Sequence, residues 1–299
     1  MRAALILLAL APALAAQTPH NSPLHRQLLA LAHQSGGKAY VACSLPGTAL
    51  DCDLHPDAHA PMQSVFKFPL AMAILHAVEE NKFTLDQPIR FLPEDRILPR
   101  THSAIQDQYP NANVDIPLRE LLQQVITTSD NAASEVLLRI LGGPSALDSY
   151  LKSIGISGIE VRDGEQAMAA NNLLQYRNVA EPAAMVALLR RLADRSPLSP
   201  EHTTLLLRWM SDSTTGAGRI RALLPLNTVV AHKTGSSGTA HHITAATNDV
   251  ALITLPDGRT LALAIFITDS HAGAATIEAS IARIAEAIYN EALKTPATK

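Results

Sequence analysis

Apolar residues recur along this chain with two periods, one helical and one extended, and the switches between them divide it into blocks. "HRQLLALAHQSGG" reads as an amphipathic helix stopped by Gly36-Gly37. Two short β-prone runs follow in "YVACSLPGTALDCDLH", on either side of Gly47-Thr48. From about Met62 to Met210 the period is helical, with helices expected over Phe66 to Asn81, Leu118 to Thr127, Ala132 to Ile140 and Pro182 to Leu192. Extended patterning then returns in "TVVAHKTG", "DVALITLP" and "TLALAIFITD", the last two separated by a Pro256-Asp257-Gly258 turn. Ile277, Ile281, Ile284 and Ile288, spaced four, three and four apart, form one apolar face of a C-terminal helix able to lie across a sheet.

This order predicts an α+β fold. The two terminal portions, 17–61 and 211–299, supply an antiparallel sheet flanked by helices, and an all-helical subdomain, 62–210, is inserted between its strands. The seam between the two is a favoured place for a cleft. The 299 residues suffice for such a core, and the net charge of −3 with scattered basic residues gives no nucleic-acid footprint. The N-terminus differs from the rest: Met1-Arg2 and the apolar "AALILLALAPALAA" fit a secretory signal, residues 1–16, cleaved near Ala15 or Ala16. The alternative, a membrane anchor, needs about 20 apolar residues. Export to the periplasm as a soluble monomer is the expectation. A two-residue hairpin loop at Gly47-Thr48 would set Cys43 opposite Cys52 as a non-hydrogen-bonded pair, with Cα atoms about 4.5 Å apart. Such a pair could close a disulfide after export, the alternative being two free buried thiols.

Chemistry enters with three short motifs. In "QSVFKF", Ser64 and Lys67 are three apart and share a helical face, so the amine can serve the hydroxyl as a base. Apolar neighbours would strip water from Lys67 and lower its pKa, and a helix N-terminus would leave backbone N–H groups free for an oxyanion. Alone, the pair reads first as an N-cap and a lysine snorkelling to water. "ITTSDNAAS" sets Ser129, Asp130 and Asn131 at a helix break, where they also read as a cap. "VVAHKTGSSGT" ends a strand with Lys233, Thr234 and Gly235, offering a charge, a hydroxyl and room for close approach of a substrate backbone.

Together and in this order, S-x-x-K, S-D-N and K-T-G resemble the motif set of class A serine β-lactamases and penicillin-binding transpeptidases. The resemblance spans nearly the whole mature chain. It implies hydrolysis of β-lactam amides, without cofactor or metal, with Ser64 as the acylated nucleophile, Lys67 as its proton-transfer partner and Ser129 as a shuttle to the leaving nitrogen. Asn131 would bind the substrate amide, and Lys233, Thr234, Gly235, Ser236 and Arg219 would line the carboxylate end. The Ser64 and Ser236 N–H groups would form the oxyanion hole. Glu165, in "RDGEQAMAANNLLQYRN", aligns with the family's deacylating glutamate on an Ω loop over about 161–178. The loop departs from the common pattern. Ala169 stands where an asparagine helps hold the hydrolytic water, Asp163 and Asn178 replace an arginine–aspartate clamp, and Glu135 replaces a bracing asparagine. These changes resemble a subgroup acting on bulky oxyimino-cephalosporins. Ser237 and Thr239 line the same strand end, and His102 falls near the family's aromatic gatekeeper. His55, His59 and His241-His242 lack a zinc motif. The competing readings are a DD-peptidase or transpeptidase on cell-wall peptides, which needs no Glu165, and a penicillin sensor that traps the acyl state.

Overall fold

The computed structural model describes residues 22–99 and 101–296; the expected signal segment, 1–16, lies outside them. Helix α1 (Pro23–Gln34) and strand β1 (Lys38–Ser44) are followed by β2 (Ala60–Pro61) and a 3₁₀ turn, Gln63–Phe66, that runs straight into α2 (Lys67–Glu79). The middle block holds β3 (Pro88–Phe91), α3 (Ala104–Gln108), β4 (Val114–Pro117), α4 (Leu118–Thr127), α5 (Asn131–Leu141) and α6 (Pro144–Ser153). A loop between β5 (Ile159–Glu160) and β6 (Val179–Ala180) carries the short α7 (Glu165–Ala170). Helices α8 (Pro182–Ala193) and α9 (Pro200–Ser211) precede β7 (Val230–Ser236), β8 (Thr239–Ala240), β9 (Ile243–Thr254), β10 (Thr260–Ser270) and α10 (Ala274–Lys294).

The main sheet is antiparallel, in the order β1–β10–β9–β7, with β8 paired to β9. Both of its faces are covered, which explains why β10 reads as an unbroken apolar run. Leu261, Leu263, Ile265 and Ile267 point to one face and pack with α1 and α10. Ala262, Ala264 and Phe266 point to the other and join the core of the helical block. The four isoleucines of α10 are fully buried in the first layer, at roughly 1.5–3 kcal/mol each. On the opposite face, α8 lies against the sheet, and Arg190 Nη1 donates to the Thr260 carbonyl at 2.9 Å.

Three expectations need correction. The stretch from Met62 to Met210 also contains extended pairs, β3 with β4 and β5 with β6, the latter joined by β2 from just before the stretch, all too short to disturb the helical period of the sequence. The helix expected from Phe66 is a 3₁₀ turn as far as that residue, and α-helical geometry starts at Lys67. Cys43 and Cys52 are bonded, but not across a hairpin ladder. Only Val41 and Leu54 bridge there, exchanging hydrogen bonds of 2.8 and 2.9 Å. That register matches the expected one, yet its hydrogen-bonding parity is reversed. The Cys43 N–H turns to the Asp53 carboxylate, and the cysteine Cα atoms stand 6.0 Å apart.

Candidate active site

Ser64 sits in the 3₁₀ turn after Gln63, whose φ of +50° is in the left-handed region. A non-glycine residue pays for that geometry only where its surroundings dictate it. Here they do: the Met62 N–H donates to the Asn178 carbonyl at 2.8 Å, and Gln63 Nε2 donates to Gln175 Oε1 at 2.8 Å. The turn is therefore stitched to the loop that carries α7. Its first N–H groups precede any helical partner. Among the described residues the Ser64 N–H meets no backbone acceptor.

The Ser64 hydroxyl lies between two ionisable groups. Lys67 Nζ is 3.1 Å from Oγ, and Oγ lies 3.2 Å from Glu165 Oε1. Lys67 and Glu165 form a buried ion pair at 2.8 Å. The ammonium also donates to the Ser129 carbonyl at 2.8 Å and to Asn131 Oδ1. The expected loss of water is met, though not by apolar neighbours alone. Lys67 is fully buried, but four oxygens take the place of water. Ser129 has φ +61°, a strained value that turns its carbonyl to Lys67 and its hydroxyl to Lys233 Nζ, 2.8 Å away. Asp130 holds this break in place: its carboxylate caps α5 through the Ala133 N–H and accepts Ser103 Oγ at 2.7 Å and the Ile105 N–H at 3.0 Å. Burial, aided by the Lys67 charge, holds Lys233 well below the ordinary lysine pKa.

Strand β7 is the sheet edge facing these groups. Val229 accepts from Thr254 and Ser237 donates to Ala246, so odd-numbered residues pair with β9. By that alternation the Ser236 N–H points outward, on the same side as the Thr234 carbonyl that accepts from Lys233 Nζ. Gly235 also serves a close approach within the protein. An ideal Cβ there would overlap the Met62 carbonyl oxygen and stand 3.1 Å from Val65 N, so the missing side chain makes room for the Ser64 turn itself. Thr234 Oγ1 lies 2.7 Å from Thr215 Oγ1. Arg219 is buried, pairs with Glu278 at 3.0 Å and donates to Ser236 Oγ at 2.6 Å. A cleft of about 470 Å³ opens here, lined by Ser64, Ser129, Asn131, Thr234, Ser236 and Arg219. His102 also lines it and meets the Thr128 carbonyl at 2.9 Å, whereas Thr239 Oγ1 turns to Thr244 Oγ1 at 2.8 Å. Thr215 and Glu278 had no signature in the sequence, being contributions of a polar turn and a helix face.

Glu165 is the first residue of α7, and its seat is built from α5. Glu135, one turn after Asn131, accepts the Gln166 N–H at 3.0 Å and packs against Gly164 where a Cβ would stand. Burial raises the Glu135 pKa, and the Glu165 charge adds to the rise. The neck of the loop is closed without the usual ion pair. The Asn178 amide accepts the Arg162 and Asp163 N–H groups at 2.8 and 3.0 Å and donates to the Asp163 carbonyl at 2.8 Å. Asp163 pairs instead with Arg177, at 3.3 Å. Ala169 brings no polar group to the site.

A serine with an adjoining buried lysine and carboxylate, beside an outward-facing edge strand, is an arrangement suited to a serine hydrolase. The β-lactamase enzyme family model matches residues 23–292. The extended-spectrum β-lactamase PER-1 of Pseudomonas aeruginosa is 40% identical over 241 residues, covering 81% of this chain and 78% of that one. β-Lactamase VEB-1 of the same organism is 35% identical, covering 79% of each. The crystal structure of the TLA-1 extended-spectrum β-lactamase superposes with a TM-score of 0.86 at 34% identity, covering 92% of this chain and 98% of that one. A β-lactamase structure from Chitinophaga pinensis gives 0.85 at 36%, covering 91% and 100%. The chain belongs to the class A β-lactamase family. It is a hydrolase of β-lactams, the activity that underlies resistance to these antibiotics.

Proposed function

We propose that β-lactam turnover runs through an acyl-enzyme on Ser64 that water clears with Glu165 as base. The observation that carries this reading is the placement of a single hydroxyl 3.1 Å from a buried ammonium and 3.2 Å from a buried carboxylate. In acylation the Ser64 oxygen attacks the lactam carbonyl carbon and its proton passes to the Lys67–Glu165 pair. The oxyanion is received by the Ser64 and Ser236 N–H groups. As the C–N bond breaks, the ring nitrogen takes a proton from the Ser129 hydroxyl, which Lys233 holds, and the proton drawn from Ser64 onto the Lys67–Glu165 pair passes on to restore that hydroxyl. Asn131 meets the substrate amide, and Lys233, Thr234, Ser236 and Arg219 meet its carboxylate. In deacylation Glu165 takes a proton from water, whose oxygen attacks the ester carbon, and as the C–O bond to Ser64 breaks that proton passes to the leaving Ser64 oxygen.

The substrates are penicillins and cephalosporins, with oxyimino-cephalosporins included. The likeness to PER-1 and TLA-1 supports that breadth, as do Ala169, Glu135 and the amide-closed neck of the Ω loop. The enzyme works as an exported periplasmic monomer after removal of residues 1–16, with a sheet part (17–61 and 211–299) and an inserted helical part (62–210). The test is turnover of a chromogenic cephalosporin and an oxyimino-cephalosporin. Many equivalents should be hydrolysed, and Ser64→Ala should abolish this. A stable stoichiometric adduct on the unmodified enzyme would instead make it a transpeptidase or a sensor.

A further inference from the structure

Asn248 lies in the middle of β9, fully buried, in a strand where asparagine is a poor choice. It stands opposite Gly235 in the β7–β9 ladder. Its Nδ2 donates to two successive carbonyls, Pro61 at 2.8 Å and Met62 at 3.0 Å, immediately before the turn that carries Ser64. Two facing carbonyl oxygens require the nitrogen of the amide at that position, so its orientation is fixed by the contacts themselves. Its neighbour Asp249 points to the opposite face, toward His232 and the Ile220 N–H. The side chain of Asn248 is thus committed to the nucleophile turn.

The choice of acceptors matters. In a 3₁₀ helix an N–H pairs with the carbonyl three residues earlier, so extending the turn backward would join the Ser64 N–H to the Pro61 carbonyl. Asn248 donates to that carbonyl and draws it toward β9. The Met62 carbonyl, its second acceptor, is also the atom that a Cβ on Gly235 would overlap. One amide therefore pins the turn at the point where it touches β7, next to the outward N–H of Ser236. We propose that Asn248 is a positioning residue that sets the separation of the Ser64 and Ser236 N–H groups and keeps the former open for the oxyanion. The proposal rests on the reading of Ser64 as nucleophile and of these two N–H groups as oxyanion donors.

Loss of a single oxyanion donor costs roughly 10²–10³ in rate, and a misplaced one should cost less, about 10–100-fold in kcat/KM. Asn248→Ala and Asn248→Leu remove both hydrogen bonds and should show that loss. An arylboronic acid, which forms a tetrahedral anionic adduct on the serine, should lose affinity by a similar factor, because it needs the same donors. Rates are taken per folded molecule, with folding checked by circular dichroism and Tm. Asn248→Asp preserves the volume should truncation unfold the protein: its neutral acid can donate to one carbonyl, whereas the carboxylate repels both. Its activity should fall as pH rises through the titration of that carboxyl, relative to the wild-type profile. Variants within twofold of wild type overturn the proposal, as does lost turnover with unchanged boronate affinity, or an Asn248→Asp profile parallel to wild type. Ser64→Ala, run alongside, separates the failures. If it turns over substrate, the functional reading falls and takes this proposal with it. If it is inactive while the Asn248 variants match wild type, only the role of Asn248 is lost.

Discussion

Gly235→Ala gives the sharpest test of how closely β7 and the turn carrying Ser64 are fitted. The added Cβ would overlap the Met62 carbonyl oxygen and press on Val65 N and Cγ2 at 3.1 Å. Two of these three atoms are backbone, so no rotamer change relieves the contact, and the turn must retreat by about 1 Å. A displacement of that size at a reacting group is worth on the order of 10² in rate. The overpacking itself should cost roughly 1–3 kcal/mol, seen as a Tm lower by several degrees. Stopped-flow hydrolysis of a chromogenic cephalosporin measures the rate, and calorimetry the Tm. A variant within threefold of wild type in kcat/KM would show that the turn is not set by its contact with Gly235.

Other perturbations have directions that follow from the same geometry. Because burial depresses the Lys233 pKa, its proton is lost at lower pH than that of an ordinary lysine. The alkaline limb of kcat/KM should therefore fall below the usual value of 10.5, and Lys233→Arg should move it upward while lowering the plateau; an unmoved limb refutes the assignment. Asn178→Ala deletes three hydrogen bonds at the neck of the Ω loop and should slow deacylation more than acylation, read as accumulated adduct. Arg177→Ala removes only an exposed partner and should leave turnover within about twofold. Replacing Cys43 and Cys52 together by Ala opens a loop with a separation of nine residues, which should cost about 2.5 kcal/mol and leave kcat unchanged.

The fold was legible where a pattern is local. The isoleucine face of α10 and the apolar strands β9 and β10 follow from period alone, and so does the closeness of Ser64 and Lys67. The partners of that pair were not local. Glu165 lies 101 residues from Ser64, and Ser129 is 104 from Lys233. Only the joint order of three motifs, with the loop between them, brought those residues forward. That Gly235 also makes room for the Ser64 turn was not legible, because what a glycine makes room for depends on the element packed against it. The cysteine ladder failed because Asp53 satisfies the Cys43 N–H and breaks the expected alternation. Asn248 was invisible for the same reason as Thr215: a buried polar side chain declares its partner only when the chain is folded.

In the proposed cycle Ser64 is acylated and Glu165 drives the clearing step. Mass spectrometry of Glu165→Gln mixed with a cephalosporin tests both at once. The expected result is a long-lived one-to-one covalent adduct that peptide mapping assigns to Ser64, while the wild-type enzyme under the same conditions turns over and shows none. A Glu165→Gln variant that clears its adduct as fast as wild type, or an adduct on any other residue, would contradict it.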